Sequence, residues 1–133
     1  MKLETDRVTI EDVTAEQLRA AIDLLDGVDN SRAILSRSDD VYLQTAWFNN
    51  GFVVEKREGS EAAHFYAVPP YGPLAPVQAP PKRNWFQRLF ASPDFLTSEC
   101  AFRKADMIGI FTAYHDGKDA SLALDWREGF CDR

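Results

Sequence analysis

The stretch from Arg32 to Val68 constrains the fold more than any other part of this chain. Three strand-like runs lie in it, Val41 to Phe48, Phe52 to Glu58 and Glu61 to Val68, and a fourth, Arg32 to Ser38, leads in. The breaks between them are Asp39-Asp40, Asn49-Asn50-Gly51 and Gly59-Ser60. Each break holds residues that tolerate turn geometry, and the glycines accept positive φ at little steric cost. Runs rich in Val, Phe, Tyr and Trp at this spacing predict an antiparallel β-meander. The rest of the chain must cover or extend that sheet.

Sequence on either side supplies the cover. Thr14 stands at a helix N-cap with Gln17 three residues on, which is capping-box spacing. The helix predicted over Ala15 to Asp26 places Leu18, Ala21, Ile22 and Leu25 on one stripe and turns Glu16, Arg19 and Asp23 to water. Gly27 follows, where a helix commonly ends in a left-handed residue. A second helix over Lys104 to His115 repeats the pattern with Met107, Ile110, Phe111 and Tyr114, with Ile108 at its margin, and Asp116-Gly117 ends it. Short strands are expected at Arg7 to Glu11 and Ser121 to Trp126. Glu99 to Phe102 reads as a brief strand or the lead-in to the second helix, and the tail from Arg127 to Arg133 as frayed. The fold class is α+β: an antiparallel meander sheet packed by two helices, within one domain spanning 1–133. In the meander, Val41, Leu43 and Trp47 fall on one side of their strand, Tyr42 and Phe48 on the other. Either a second layer covers the far face, or that face is an interaction surface.

All seven prolines lie between Pro69 and Pro93. Proline lacks a donor and cannot join a sheet interior, so residues 69–98 form a Pro-rich excursion before the second helix. Within it Lys82 to Phe90 is basic and aromatic, with Trp85, Phe86, Leu89 and Phe90 able to share one apolar face. Three readings are open: the segment caps the sheet, binds a partner, or touches a membrane surface. Its shortness disfavours the last.

The net charge of -6 argues against nucleic acid, which needs clustered Lys and Arg, and suits a basic protein partner. No run is long enough to cross a bilayer. Cys100 and Cys131 do not form a zinc-ligand pattern, and two thiols are too few for a disulfide framework. They are expected to be free, and with no apolar signal core at Met1 to Asp6 the expectation is a cytoplasmic protein. His64 sits in a strand and His115 at a helix C-terminus, where the macrodipole favours a cation. Neither belongs to a catalytic motif; there is no P-loop, dinucleotide fingerprint or nucleophile elbow. No catalytic residue, metal ligand or cofactor is assigned, and an enzyme is not expected.

Several segments in order carry a resemblance. They are Val8-Thr9-Ile10-Glu11-Asp12 before a helix ending Leu24-Leu25-Asp26-Gly27, then Asp40-Val41-Tyr42-Leu43-Gln44 and Phe52 to Gly59. His64-Phe65-Tyr66-Ala67, Phe111 to Gly117 and Trp126 complete the set. Together they resemble the small α+β immunity proteins of bacterial polymorphic toxin systems, departing from that pattern between Pro69 and Ser98. The resemblance implies a binder that neutralises a cognate toxin by occluding or distorting its active site. An acidic binder suits a basic, nucleic-acid-targeting toxin. The candidate partner contacts are Asp39 and Asp40, which would attract a basic patch, and Trp85, Phe86 and Phe90, which would fill pockets. The rival expectation is an acidic chaperone for a secreted effector.

Overall fold

A computed structural model describes residues 1–48, 50–71 and 99–131. Among the described residues, eight antiparallel strands form one sheet: β1 (Lys2–Thr5), β2 (Thr9–Ile10), β3 (Arg32–Ser38), β4 (Val41–Phe48), β5 (Gly51–Glu58), β6 (His64–Val68), β7 (Ala101–Phe102) and β8 (Asp125–Glu128). Two helices among the described residues pack on it, α1 (Ala15–Asp23) and α2 (Lys104–His115), and Asp119–Ser121 makes a 3-10 turn. The strand order is β2-β1-β3-β4-β5-β6-β8. β7 shares an edge of β5 with β6, pairing Phe52 and Val53 while β6 pairs Glu55 to Arg57. The protein is α+β, with both helices on one face.

The period-2 alternation decides which residues meet those helices. Leu3, Leu35 and Leu43 stand opposite one another across β1, β3 and β4, and the row alongside runs through Ala33, Thr45 and Val54. Leu18, Ile22 and Leu25 come down from the α1 side, and Met107, Ile110, Phe111 and Tyr114 from α2. All are buried in one core. Each large side chain taken from water contributes about 1.5–3 kcal/mol. Thr45, the polar member of this face, is satisfied by donating its hydroxyl to the Val53 carbonyl at 2.8 Å. The capping box at Thr14 and Gln17 forms in full. At the far end of α2, Gly117 takes φ 72° and the backbone N–H of Lys118 reaches back to the Ala113 carbonyl at 2.8 Å, a left-handed stop.

Several boundaries differ from expectation for identifiable reasons. The first strand is Lys2–Thr5, and Thr9–Ile10 folds back on it. A charged N-terminus is compatible with a strand because only Leu3 of β1 is buried. α1 ends at Asp23, and Gly27 is not left-handed. Glycine is required there for space: an added Cβ would lie 2.8 Å from two carbons of the Trp47 indole. β6 starts at His64 because Ser60 to Ala63 form a turn, closed by the Ala63 N–H on the Ser60 carbonyl at 3.1 Å. The last strand is shifted to Asp125–Glu128, since the tail pairs with β6 from Val68↔Asp125 to Phe65↔Glu128.

The expectation of free thiols is overturned: Cys100 and Cys131 form a disulfide, with Cα atoms 6.3 Å apart. Pairing of β8 with β6 returns the tail to the root of β7, across a sequence separation of 31. The bond lies on the face away from the helices, in a small cluster with Val53, Phe48 and Tyr66.

Candidate functional site

The expected partner contacts do not share one described patch. Asp39 and Asp40 form the exposed β3–β4 turn. That turn is held structurally: the Asp40 carbonyl accepts from the Gly59 N–H at 2.7 Å, and the Asp40 carboxylate stands 4.0 Å from the Arg57 guanidinium. Trp85, Phe86 and Phe90 lie outside the described residues. The residues flanking their segment are placed at the opposite end of the sheet, about 20 Å away at ~3.3 Å per strand residue. The two flanks are tied to each other. The Tyr71 hydroxyl accepts from the Arg103 N–H at 2.9 Å and donates to Asp106 at 2.7 Å, with the Arg103 guanidinium 4.3 Å from the Tyr71 ring centre. Burial, against the opposing Arg103 N–H, raises the Tyr71 phenol above its ordinary pKa.

Among the described residues, two of the concavities that open to solvent lie on opposite sides of the sheet. One lies on the face away from the helices, a depression of about 390 Å³ lined by Glu4, Asp6, Arg32, Gln44 and Glu55 among others. Its described charges are largely spoken for. Asp6 accepts from the Ser31 N–H at 2.9 Å and from Arg32 at 3.2 Å. The Ser31 bond first, and Arg32 beside it, outweigh desolvation and hold the Asp6 carboxyl below the usual range. Glu4 pairs with Lys2 at 3.4 Å, and the buried Glu55 carboxylate lies 3.4 Å from His64 Nε2. His64 is 3% exposed, and the Phe130 ring stacks on it at 4.0 Å. The imidazole is enclosed by the returning tail.

The other concavity is a groove of about 1140 Å³ between α1 and α2. The helices run antiparallel and are fastened at both ends. Lys104 Nζ donates to the Asp23 carbonyl at one end, and His115 Nε2 stands 2.7 Å from the Val13 carbonyl at the other. Between these ties the floor is small or apolar: Ala15 and Ala20 from α1, and Ala105, Ile108, Gly109 and Thr112 from α2. Thr112 spends its hydroxyl on the Ile108 carbonyl at 2.8 Å. Leu122 closes one end beside Lys118 and Asp116. The α1 side of the groove carries Glu16, Arg19 and Asp23. Of these, Asp23 lies 3.9 Å from Lys104 Nζ, so Glu16 and Arg19 are the charges left facing each other along that side.

This groove was not legible as a site from helical periodicity, which reports only the buried stripe. One signal was present. Between Asp106 and Asp116 there is no Asp, Glu, Lys or Arg, so the outer side of α2 lacks the charged cover of an ordinary surface helix. Among the described residues, no cluster of His, Cys, Asp and Glu could hold a metal ion, and no helix is long and apolar enough to cross a membrane. No protein-family model, curated protein or solved structure matches the chain.

Proposed function

We propose that this chain is a toxin-neutralising immunity protein, binding a cognate basic toxin that acts on nucleic acid. The observation that carries the reading is the groove between α1 and α2, small and apolar at its floor, with Glu16, Arg19 and Asp23 along its α1 side. Apolar burial supplies affinity, while the chain's overall negative charge steers a basic partner. The segment resemblance and the net charge of -6 support the same reading. Activity in this view is occlusion, with no bond made or broken by the chain's own side chains.

Cytoplasmic residence would fit free thiols. With Cys100 and Cys131 paired, an oxidising compartment suits the protein better, where it would meet the toxin before the toxin reaches nucleic acid. Alkylation of thiols after cell fractionation separates the two locations.

The test is co-expression with the product of the adjacent upstream gene. The reading expects a complex that survives purification and cells that tolerate the otherwise lethal product. Neither association nor protection would end it. The open groove also favours a second reading, an acidic chaperone that holds an unfolded segment of a secreted effector. A chaperone would bind the unfolded effector and release the folded one; an immunity protein requires its partner folded.

A further inference from the structure

We propose that the tail from Asp125 to Cys131 is a redox-released strap. The Cys100–Cys131 disulfide holds it over His64, and reduction lets it lift while the helix face of the sheet stays folded. The device belongs to the chain alone and does not depend on the toxin-binding reading.

The tail has little grip of its own. Among the described residues β8 is an edge strand of four residues, paired on one side by β6. Asp125, Arg127 and Glu128 are exposed, and Trp126 is partly buried. Past the strand, the Gly129 N–H donates to the His64 carbonyl at 2.8 Å. Phe130 stacks on the imidazole yet stays 65% exposed, so most of its apolar surface remains in water and adds little to the hold. Cys131 is the buried anchor, in the cluster with Cys100 and Val53. The covalent bond therefore decides whether the tail stays down, because it ties residues 31 apart and restricts the open state.

The closed state also carries a penalty that lifting relieves. His64 Nε2 faces the Glu55 carboxylate, but Nδ1 of the same ring is buried without a hydrogen-bond partner. Nε of Arg57, the cross-strand partner of His64, is buried and unpartnered as well. A buried polar atom left unpaired destabilises the state that buries it, and hydration restores the loss. The disulfide thus holds the tail against a local preference for water. The core under the helices contains neither cysteine, and of the tail Trp126 packs at its margin. Cutting the bond leaves Leu18, Ile22, Met107 and Phe111 packed as before. A dithiol supplies the two electrons. Its thiolate attacks one sulfur of the bond, and the other cysteine leaves as a thiolate that takes a proton. The second thiol of the reductant resolves the mixed disulfide, giving Cys100 and Cys131 as thiols and the reductant as its own disulfide.

The experiment follows acylation of the two histidines by diethyl pyrocarbonate in the full chain, before and after dithiothreitol, with thiols counted by alkylation. His115, on α2 and with 20% of its side chain exposed, is the internal reference. Reduction is expected to give two alkylatable thiols and to raise the His64 rate by about tenfold or more, with His115 unchanged. Hydrogen exchange is expected to quicken in β6 and β8 and to hold steady in α1 and α2. Cys131→Ser should reproduce the reduced pattern without reductant. Phe130→Ala, which keeps the bond, should raise His64 reactivity by less. Three results would overturn the strap: a bond that dithiothreitol does not cleave in the folded protein, a His64 as protected after reduction as before, or α1 and α2 melting together with the tail. The second of these would make the disulfide a passive staple. If Cys131→Ser does not fold, the reduced wild type carries the same decision.

Discussion

The two faces of the sheet are closed by different physics. Under the helices, Leu3, Leu35, Leu43, Phe52 and Val54 meet Leu18, Ile22, Met107 and Phe111 in a continuous apolar core. On the other face, Val53, Phe48 and Tyr66 pack against a returning tail that a disulfide fastens, and beside them the buried His64, next to Glu55, is stacked by Phe130. Many weak contacts hold the first face, so its loss should be cooperative. One covalent tie and a few backbone bonds, such as the Gly129 N–H on the His64 carbonyl at 2.8 Å, hold the second. A surface sealed that way can open locally while the rest stays folded.

The comparison can be broken hardest in the core. Phe111→Ala should cost about 3–5 kcal/mol, because the cavity under α2 cannot collapse against a sheet. Urea unfolding measures it; a loss under ~1 kcal/mol would mean the helix face is not a packed core. Cys131→Ala should come next, at about 3–4 kcal/mol for a loop closed across 31 residues. Its hydrogen-exchange pattern is the sharper readout. Faster exchange should appear in β6 and β8, with α1 and α2 following the global change only. Uniform acceleration would erase the distinction between the faces.

Gly27→Ala should cost about 1–3 kcal/mol, since the methyl group must displace the Trp47 indole, and Trp fluorescence should shift with it. Thr14→Ala should cost about 1 kcal/mol, through the lost Thr14–Gln17 box. The smallest effect is a pH dependence at the α1–β3 loop. Asp26 accepts from the N–H groups of Val28, Asp29 and Asn30, and the Val28 bond leads in holding its carboxyl below the usual carboxylate range; Asp6 is held low by Ser31. A depressed folded pKa gives stability that is full above the unfolded value and lost as pH falls through the folded one. Below about pH 4 the wild type should therefore lose stability faster than Asp26→Asn, as followed by thermal melts across pH 2–6. Parallel curves would count against an ordered loop.

How much could be read beforehand followed the range of the interactions. The meander was legible because alternation and turn residues act over two to four positions, and Val41 to Phe48 is a strand as expected. The buried stripes were legible because helical spacing repeats every turn, and Met107, Ile110, Phe111 and Tyr114 are all buried. Gly27 was misread because its neighbour, Trp47, is remote in sequence. The strand at Lys2–Thr5 was missed because its partner is β3, and the disulfide because it depends on the tail pairing with β6. Of the candidate site, Asp39 and Asp40 were placed in the right turn, yet the groove escaped notice because its two walls come from helices far apart in the chain.

The sequence by itself determined the elements: where strands turn, where α1 is capped, and which stripe of each helix goes inward. Those depend on local sterics and on solvent, which each short segment meets alone. Only the tertiary structure decided which face of the sheet the helices share, that Cys131 reaches Cys100, and that two helices leave a groove between them. Each of these is a distance between remote segments, fixed when the sheet order closes and not before.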